Sequence, residues 1–341
     1  MQPVISERPE QVLLSNPRSD RVKAVARLSG RSARLRAGRF VVEGPQAVRE
    51  AVTSMVDGRA PLDGRIAGGR VAGDNPVAGD GAGDGAGDGR GAGADRNERL
   101  PGAIRELYAT AEAAQRHPEI IEAAAAAGVF ARPVTDEVLT AMLADGGTLS
   151  PQGLLAVCDL ITVDLDPVLR ARPALVAVLS QVRDPGNAGT VIRAADAAGA
   201  DAVVMTDASV DVHNPKAVRA TAGSLFHLPV VAGVPLAAAL AGLRAAGLRV
   251  LAADGAGAID LDDLSDAAET DPSALLAGPV AWVFGNEAWG LPAADRALAD
   301  AVVRVPVHGR AESLNLATAA TVCLYATARA QRRAARRAQH P

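Results

Sequence analysis

A chain of 341 residues is longer than one hydrophobic core usually serves, so two domains are expected. It is 49% hydrophobic, enough for sizeable burial, and its two cysteines, Cys158 and Cys323, exclude a disulfide scaffold or a cysteine-built metal site. The formal net charge of −4 excludes a uniformly basic nucleic-acid binder, so any polyanion contact must come from local clusters.

The first thirty residues are charged throughout and lack an apolar stretch, so no signal peptide is expected. From Asn16 to Val42 the basic residues Arg18, Arg21, Lys23, Arg27, Arg31, Arg34, Arg36 and Arg39 face one acid, Asp20. After Glu312 there is no acid, and Arg329, Arg332, Arg333, Arg336 and Arg337 follow. Such clusters are the footprint of phosphate binding; a solvated helix face reads the same way. The pattern predicts a helix over 17–28, a strand Phe40-Val41-Val42, a turn at Glu43-Gly44-Pro45, and a helix over 46–55.

Residues 57–99 are dominated by Gly, Ala and Asp, and the block Ala-Gly-Asp-Gly repeats from Ala78, Ala82 and Ala86. This composition buries too little apolar area to offset ordering entropy, so a disordered insertion is expected. Every glycine from Gly73 to Gly93 is at an odd position, which excludes the G-x-G-x-x-G dinucleotide fingerprint. A strand over 105–109, a helix over 118–127 and further elements from Val129 to Cys158 complete the first half. A proline-bearing linker over 162–172 then leads into the second.

In the second half, strands over 174–179, 202–205, 249–253, 280–284 and 302–305 alternate with helical segments, which predicts a largely parallel sheet with helices on both faces. The stretch 220–243 carries no Asp, Glu, Lys or Arg, but its Pro229, Gly233 and Pro235 make it strand, turn and core helix, not a membrane span. His213, His227 and His308 have neither helical i,i+4 spacing nor cysteine partners, so no metal is expected.

Three blocks carry the chemistry. The first, LSQVRDPGNAGTVIRAA, follows a strand and holds Asn187, Gly189 and Arg193; the second, VAWVFGNEAWGL, holds Phe284, Gly285, Glu287, Gly290 and Leu291. The third, VVRVPVHGRAESLNLATAA, runs through Val305, Pro306, Val307 and Gly309 into Ser313-Leu314-Asn315, where a helix is expected to start. All three fall at the carboxyl ends of predicted strands, where parallel sheets bind ligands. Ser313 can be read as a helix cap, as a site residue, or as both.

In this order the blocks resemble the three motifs of the SpoU (TrmH-type) RNA ribose 2′-O-methyltransferases of the SPOUT superfamily. Valine replaces isoleucine at Val305 and methionine at Val307. The resemblance implies residues 166–341 as an α/β methyltransferase domain with a trefoil knot and a basic tail. It implies residues 1–165 as a small ribosomal-protein-like α/β RNA-binding domain, interrupted by the insertion. S-adenosylmethionine is the implied cofactor, held by the Gly285, Val305 and Leu314 backbone and by the neighbouring Phe284, Gly290, Leu291, Pro306 and Gly309. Arg193 is the implied catalytic residue, oriented by Asn187 and Glu287, with Ser313 and Asn315 near the reacting nucleotide or cofactor. RNA contacts are assigned to Arg18, Arg21, Lys23, Arg31, Arg34 and Arg36, and to Lys216 and Arg219 of the segment NPKAVRATAGSLF. The expected substrate is structured RNA, ribosomal (23S) before transfer RNA, and the expected protein is a cytoplasmic homodimer joined through the knot region. A catalytically silent RNA-binding or assembly factor of the same fold is the rival.

Overall fold

A computed structural model of the chain describes residues 12–57, 103–143 and 151–339. Beyond Asp57, the expected disordered insertion lies outside the described residues. The first half runs α1 (Asp20–Ala26), α2 (Arg31–Ala37), β1 (Arg39–Glu43), α3 (Pro45–Val56), β2 (Ile104–Ala109), α4 (Ala111–Arg116), α5 (Pro118–Ala126), β3 (Ala131–Pro133), α6 (Asp136–Leu143) and β4 (Leu154–Asp159). The second runs α7 (Leu165–Arg170), β5 (Leu175–Leu179), α8 (Pro185–Ala198), β6 (Ala202–Thr206), α9 (Pro215–Thr221), β7 (Val230–Val234), α10 (Leu236–Ala245), β8 (Arg249–Ala253), β9 (Ile259–Asp260), α11 (Leu261–Thr270), β10 (Val280–Phe284), α12 (Ala293–Arg296), β11 (Ala301–Arg304) and α13 (Leu316–Gln339).

Two sheets organise these elements. The first has the order β1-β4-β2-β3, antiparallel except for the β2–β3 pair. The second has seven strands in the order β7-β6-β5-β10-β8-β11-β9, and every pair in it is parallel. Strands β5, β6 and β10 are buried at every position, as a parallel sheet covered on both faces requires. The period-2 alternation divides β5 between the two faces. Leu175, Ala177 and Leu179 pack with α8 and α13, while Val176 and Val178 pack with Ala239, Leu240 and Leu243 of α10. Trp282 of β10 is fully buried, donates its indole N–H to Thr327 Oγ1 of α13 at 2.8 Å, and stacks on Phe284. Among the described residues no helix is long and apolar enough to cross a membrane.

The halves are joined through polar contacts, some of them buried. The Arg34 guanidinium, 2% exposed, donates to Asp211 Oδ2 at 2.7 Å and to the Leu28 carbonyl at 2.9 Å. Burial opposes ionisation of Asp211, but hydrogen bonds from His213 and Arg34 outweigh it and hold this carboxyl well below the usual range. His213 stacks obliquely on Phe40 and accepts the Ile161 N–H. His227 sits between Asp196 of α8 (2.7 Å) and Glu50 of α3 (3.1 Å).

Several expectations are corrected. The linker over 162–172 contains α7, whose Pro167 sits in the first turn, where a missing N–H leaves no helical bond unmade. The last helix begins at Leu316, and its cap is Asn315, whose Oδ1 accepts from Ala317 N–H at 2.8 Å and Thr318 N–H at 3.3 Å; Ser313 lies outside it. Arg34 is a buried tie between the halves and cannot reach RNA. Both cysteines are the buried thiols that so few, widely spaced cysteines suggest, and burial raises each of them, Cys323 to about 12.

Candidate active site

The strand order reverses at β5: the chain steps outward to β6 and β7, then returns to the other side at β8, and β10 fills the place between β5 and β8. Ligands in such sheets bind beyond the carboxyl ends at the reversal. There the loops after β5, β10 and β11 converge, and the last two frame a cleft of about 720 Å³. Phe284, Gly285, Gly290, Val305, Pro306 and Leu314 line it, as expected for the cofactor, together with Asp254, Glu287, Trp289, Arg296 and Ser313. Two expected cofactor residues do not. Leu291 is 3% exposed and packs in the core beneath α10, and Gly309 lies outside the cleft.

A chain of hydrogen bonds closes the three loops on one another. Asn315 Nδ2 donates to Asn187 Oδ1 at 3.0 Å, and Asn187 Nδ2 donates to Glu287 Oε1 at 3.3 Å. Glu287 also accepts the backbone N–H groups of Arg183 (3.4 Å) and Asp184 (3.2 Å). Asp184 caps α8 by accepting the Asn187 N–H at 2.7 Å. The network thus joins residues more than a hundred positions apart, and each member is positioned by a strand end or a helix start.

Arg193 departs from expectation. It is exposed on α8, and among the described residues it forms no ion pair or hydrogen bond. Glu287 and Asn187 therefore do not orient it; they hold each other and the loop after β5. On the 100° helical period Arg193 shares the stripe of Gly186 and Thr190 and lies well round the helix from Asn187.

The motif glycines serve chain packing. A Cβ at Gly285 would come within 2.4 Å of the Gly290 carbonyl carbon, and one at Gly189 within 2.4 Å of the Ala217 carbonyl oxygen on α9. At Gly285 the absence of a side chain lets the loop close on itself while its backbone still lines the cleft.

Of the expected RNA contacts, Arg18, Arg31, Arg36 and Lys216 are exposed. Arg21 pairs with Glu106 at 2.8 Å and Lys23 with Asp20 at 3.6 Å, while Arg219 is half-buried against Glu43 at 3.5 Å. In the C-terminal tail, Arg329 and Arg333 both bond Glu269 of α11, so part of that cluster ties helices together. Sequence reasoning did not single out Asp254, Arg296, Arg183 or Trp289. The first two form a 3.0 Å pair within the cleft. Their signal lies in distance across the fold, which spacing along the chain does not carry.

The profile of the SpoU rRNA Methylase family matches residues 174–325. A 23S rRNA guanosine 2′-O-methyltransferase of Bacillus subtilis is 33% identical over 227 residues, 67% of this chain and 82% of its own length. Among solved structures, an S-adenosylmethionine-bound rRNA methyltransferase from Sinorhizobium meliloti superposes with a TM-score of 0.66 at 25% identity, covering 93% of this chain and 97% of that one. The SpoU methyltransferase AviRb from Streptomyces viridochromogenes, in complex with the same cofactor, gives 0.64 at 26% identity over 91% and 98%. With the matched motifs, the parallel sheet and the joined loops, these likenesses establish that the chain belongs to the SpoU rRNA methylase family.

Proposed function

We propose that this protein transfers a methyl group from S-adenosylmethionine to a ribose 2′-oxygen of ribosomal RNA, the 23S molecule named for its relatives. The observation that carries this reading is the Asn315–Asn187–Glu287 network, which holds three loops together beside one cleft. The backbone and apolar faces of Phe284, Gly285, Val305, Pro306 and Leu314 suit an adenosine and a thioether chain, and the cleft volume is that of a small-molecule site. S-adenosylmethionine, when bound, supplies an electrophilic methyl group.

The chain's own residues supply the rest. The guanidinium of Arg193 offers a fork of N–H donors and no acceptor, so its part is to hold charge. It holds RNA phosphate and stabilises the alkoxide that develops as the 2′-hydroxyl oxygen attacks, while the hydroxyl proton passes to that phosphate or to water. Asn187, Glu287, Ser313 and Asn315 set the shape of the loops around the reacting nucleotide.

Residues 1–165 form the RNA-binding part in this reading, with Arg18, Arg31 and Arg36 presenting exposed charge, and residues 166–341 form the methyltransferase part. A homodimer is supported by large apolar side chains left in solvent: Val307 and Leu314 in the cleft lining and Val322 and Tyr325 on α13 are 37–46% exposed. A ribosomal RNA substrate supports a cytoplasmic location.

The test is calorimetric titration with S-adenosylmethionine, sedimentation of the same sample, and ribose-methylation mapping of ribosomal RNA from cells with and without the gene. One cofactor per chain, a dimer, and one 23S position lost on deletion are expected. Absence of cofactor binding would leave a silent RNA-binding factor, a lost transfer-RNA position would move the substrate, and a monomer would remove the pairing.

A further inference from the structure

Trp289 stands in the loop after β10, and it is 50% exposed, whereas the chain's other tryptophan, Trp282, is wholly buried. The turn that carries it is closed. Asn286 N–H donates to the Gly290 carbonyl at 3.0 Å and Gly290 N–H to the Asn286 carbonyl at 2.9 Å. Asn286 Oδ1 accepts the Ala288 N–H at 2.9 Å, and its Nδ2 reaches back to the Gln181 carbonyl at 2.7 Å. Gly290 has φ +67°, a left-handed conformation that completes the turn at little cost only with glycine.

The indole is held from the neighbouring loop as well. The Arg183 guanidinium lies 5.0 Å from the ring centroid, a cation–π contact. The backbone N–H of Arg183 is bonded in turn to Glu287, a member of the network that closes the site. Two loops therefore hold an aromatic surface rigidly at the edge of the cleft that Ser313 and Leu314 also line. Leaving that area in water forgoes the stabilisation that burial would bring, so what it meets in the complex matters.

We propose that Trp289, backed by Arg183, is the platform on which a nucleobase of the RNA substrate stacks as its ribose enters the cleft. The inference rests on the RNA methyl-transfer reading above and deepens it. Every base has a π face, so a stacking platform accepts a base that has left its helix without reading its identity. Arg183, planar and charged, suits both the ring face and the phosphate beside that base.

The experiment uses the full chain with Trp289→Phe and Trp289→Ala. With Trp282 buried, solvent-sensitive emission comes from Trp289. Titration with a mixed-sequence single-stranded RNA decamer should quench it in the wild type, and no quench should remain in Trp289→Phe. In single-turnover methylation of a 23S rRNA transcript, Trp289→Ala should raise the half-saturating RNA concentration about 5- to 100-fold, the range of one lost base stack. Trp289→Phe should restore it to within a few-fold, and calorimetric affinity for S-adenosylmethionine should hold in both variants.

An equal loss of cofactor affinity would mean that the ring stacks on the cofactor, and dissociation of a dimer in Trp289→Ala would make it an interface residue; either result overturns the platform. So does unaltered RNA saturation in an active variant. A wild type that methylates no ribosomal RNA would instead overturn the functional reading, and the decamer quench would still decide whether the ring stacks on bases.

Discussion

Asn187 is the residue through which the third motif block reaches the second: it accepts from Asn315 and donates to Glu287. Its side chain joins the loops; in the proposed reaction the charge work is that of Arg193, which stands apart on the exposed face of α8. Arg193→Ala should lower single-turnover methylation by roughly 10²- to 10⁴-fold, the scale of a charge-stabilising group. Cofactor affinity should stay within a few-fold, because Arg193 lies outside the cleft lining, and lysine should rescue only in part. Near wild-type rates in saturating RNA would remove Arg193 from the reaction. The site was legible in the sequence to the extent that chemistry depends on residue type and short spacing: Asn187, Glu287, Ser313, Asn315, Gly285 and Gly290 line the cleft or belong to the network that closes it. Who bonds whom was not legible, since a hydrogen bond across a hundred positions leaves no mark on local pattern, and Arg193 was given partners that it does not have.

Helix α2 shows the same division among elements. Its arginines form one basic run in sequence, yet α2 turns Arg31 and Arg36 to solvent and Arg34 onto Asp211. Arg34→Met should leave the partly buried Asp211 with His213 alone and cost about 3 kcal/mol of unfolding free energy, measured by denaturant titration. The salt dependence of RNA binding should not change in that variant. Arg31→Ala and Arg36→Ala should each flatten that dependence by about one counterion at little cost in stability. A flattened slope in Arg34→Met would return it to the RNA surface. The central strands were legible because burial on both faces demands unbroken apolar runs, as in Leu175–Leu179 and Val280–Phe284. Two-residue β9 carries too little pattern to read, and α4 is a short helix that stops just before Pro118.

At the scale of the molecule, His227 clamps the two halves, bonded to Asp196 on one side and Glu50 on the other. The hydrogen bond to Asp196, then that to Glu50, outweigh partial burial and raise the imidazole from its ordinary 6.5 to about 9. A group whose folded value is raised stabilises fully below its unfolded value, and that contribution is lost as pH climbs through the folded one. The melting temperature of the wild type should therefore fall relative to that of His227→Gln between about pH 6.5 and 9. Parallel curves for the two proteins across that window would show that the clamp contributes nothing. The presence of two differently built sheets could be anticipated from the change in strand pattern along the chain. The ties between the parts could not, because each pairs residues far apart in the chain and local spacing does not say which partner a side chain meets.

The place of β10 has a consequence for how the chain is made. It lies at the heart of the parallel sheet, yet its partner β5 precedes it by about a hundred positions, and β6, β7 and β8 are all synthesised in between. Until Val280–Phe284 leaves the ribosome, β5 presents an open edge of N–H and C=O groups beside α8, a template for the wrong strand. Pairing at such sequence distance is slow to find. The order of synthesis thus leaves one apolar strand edge uncovered until its neighbour arrives.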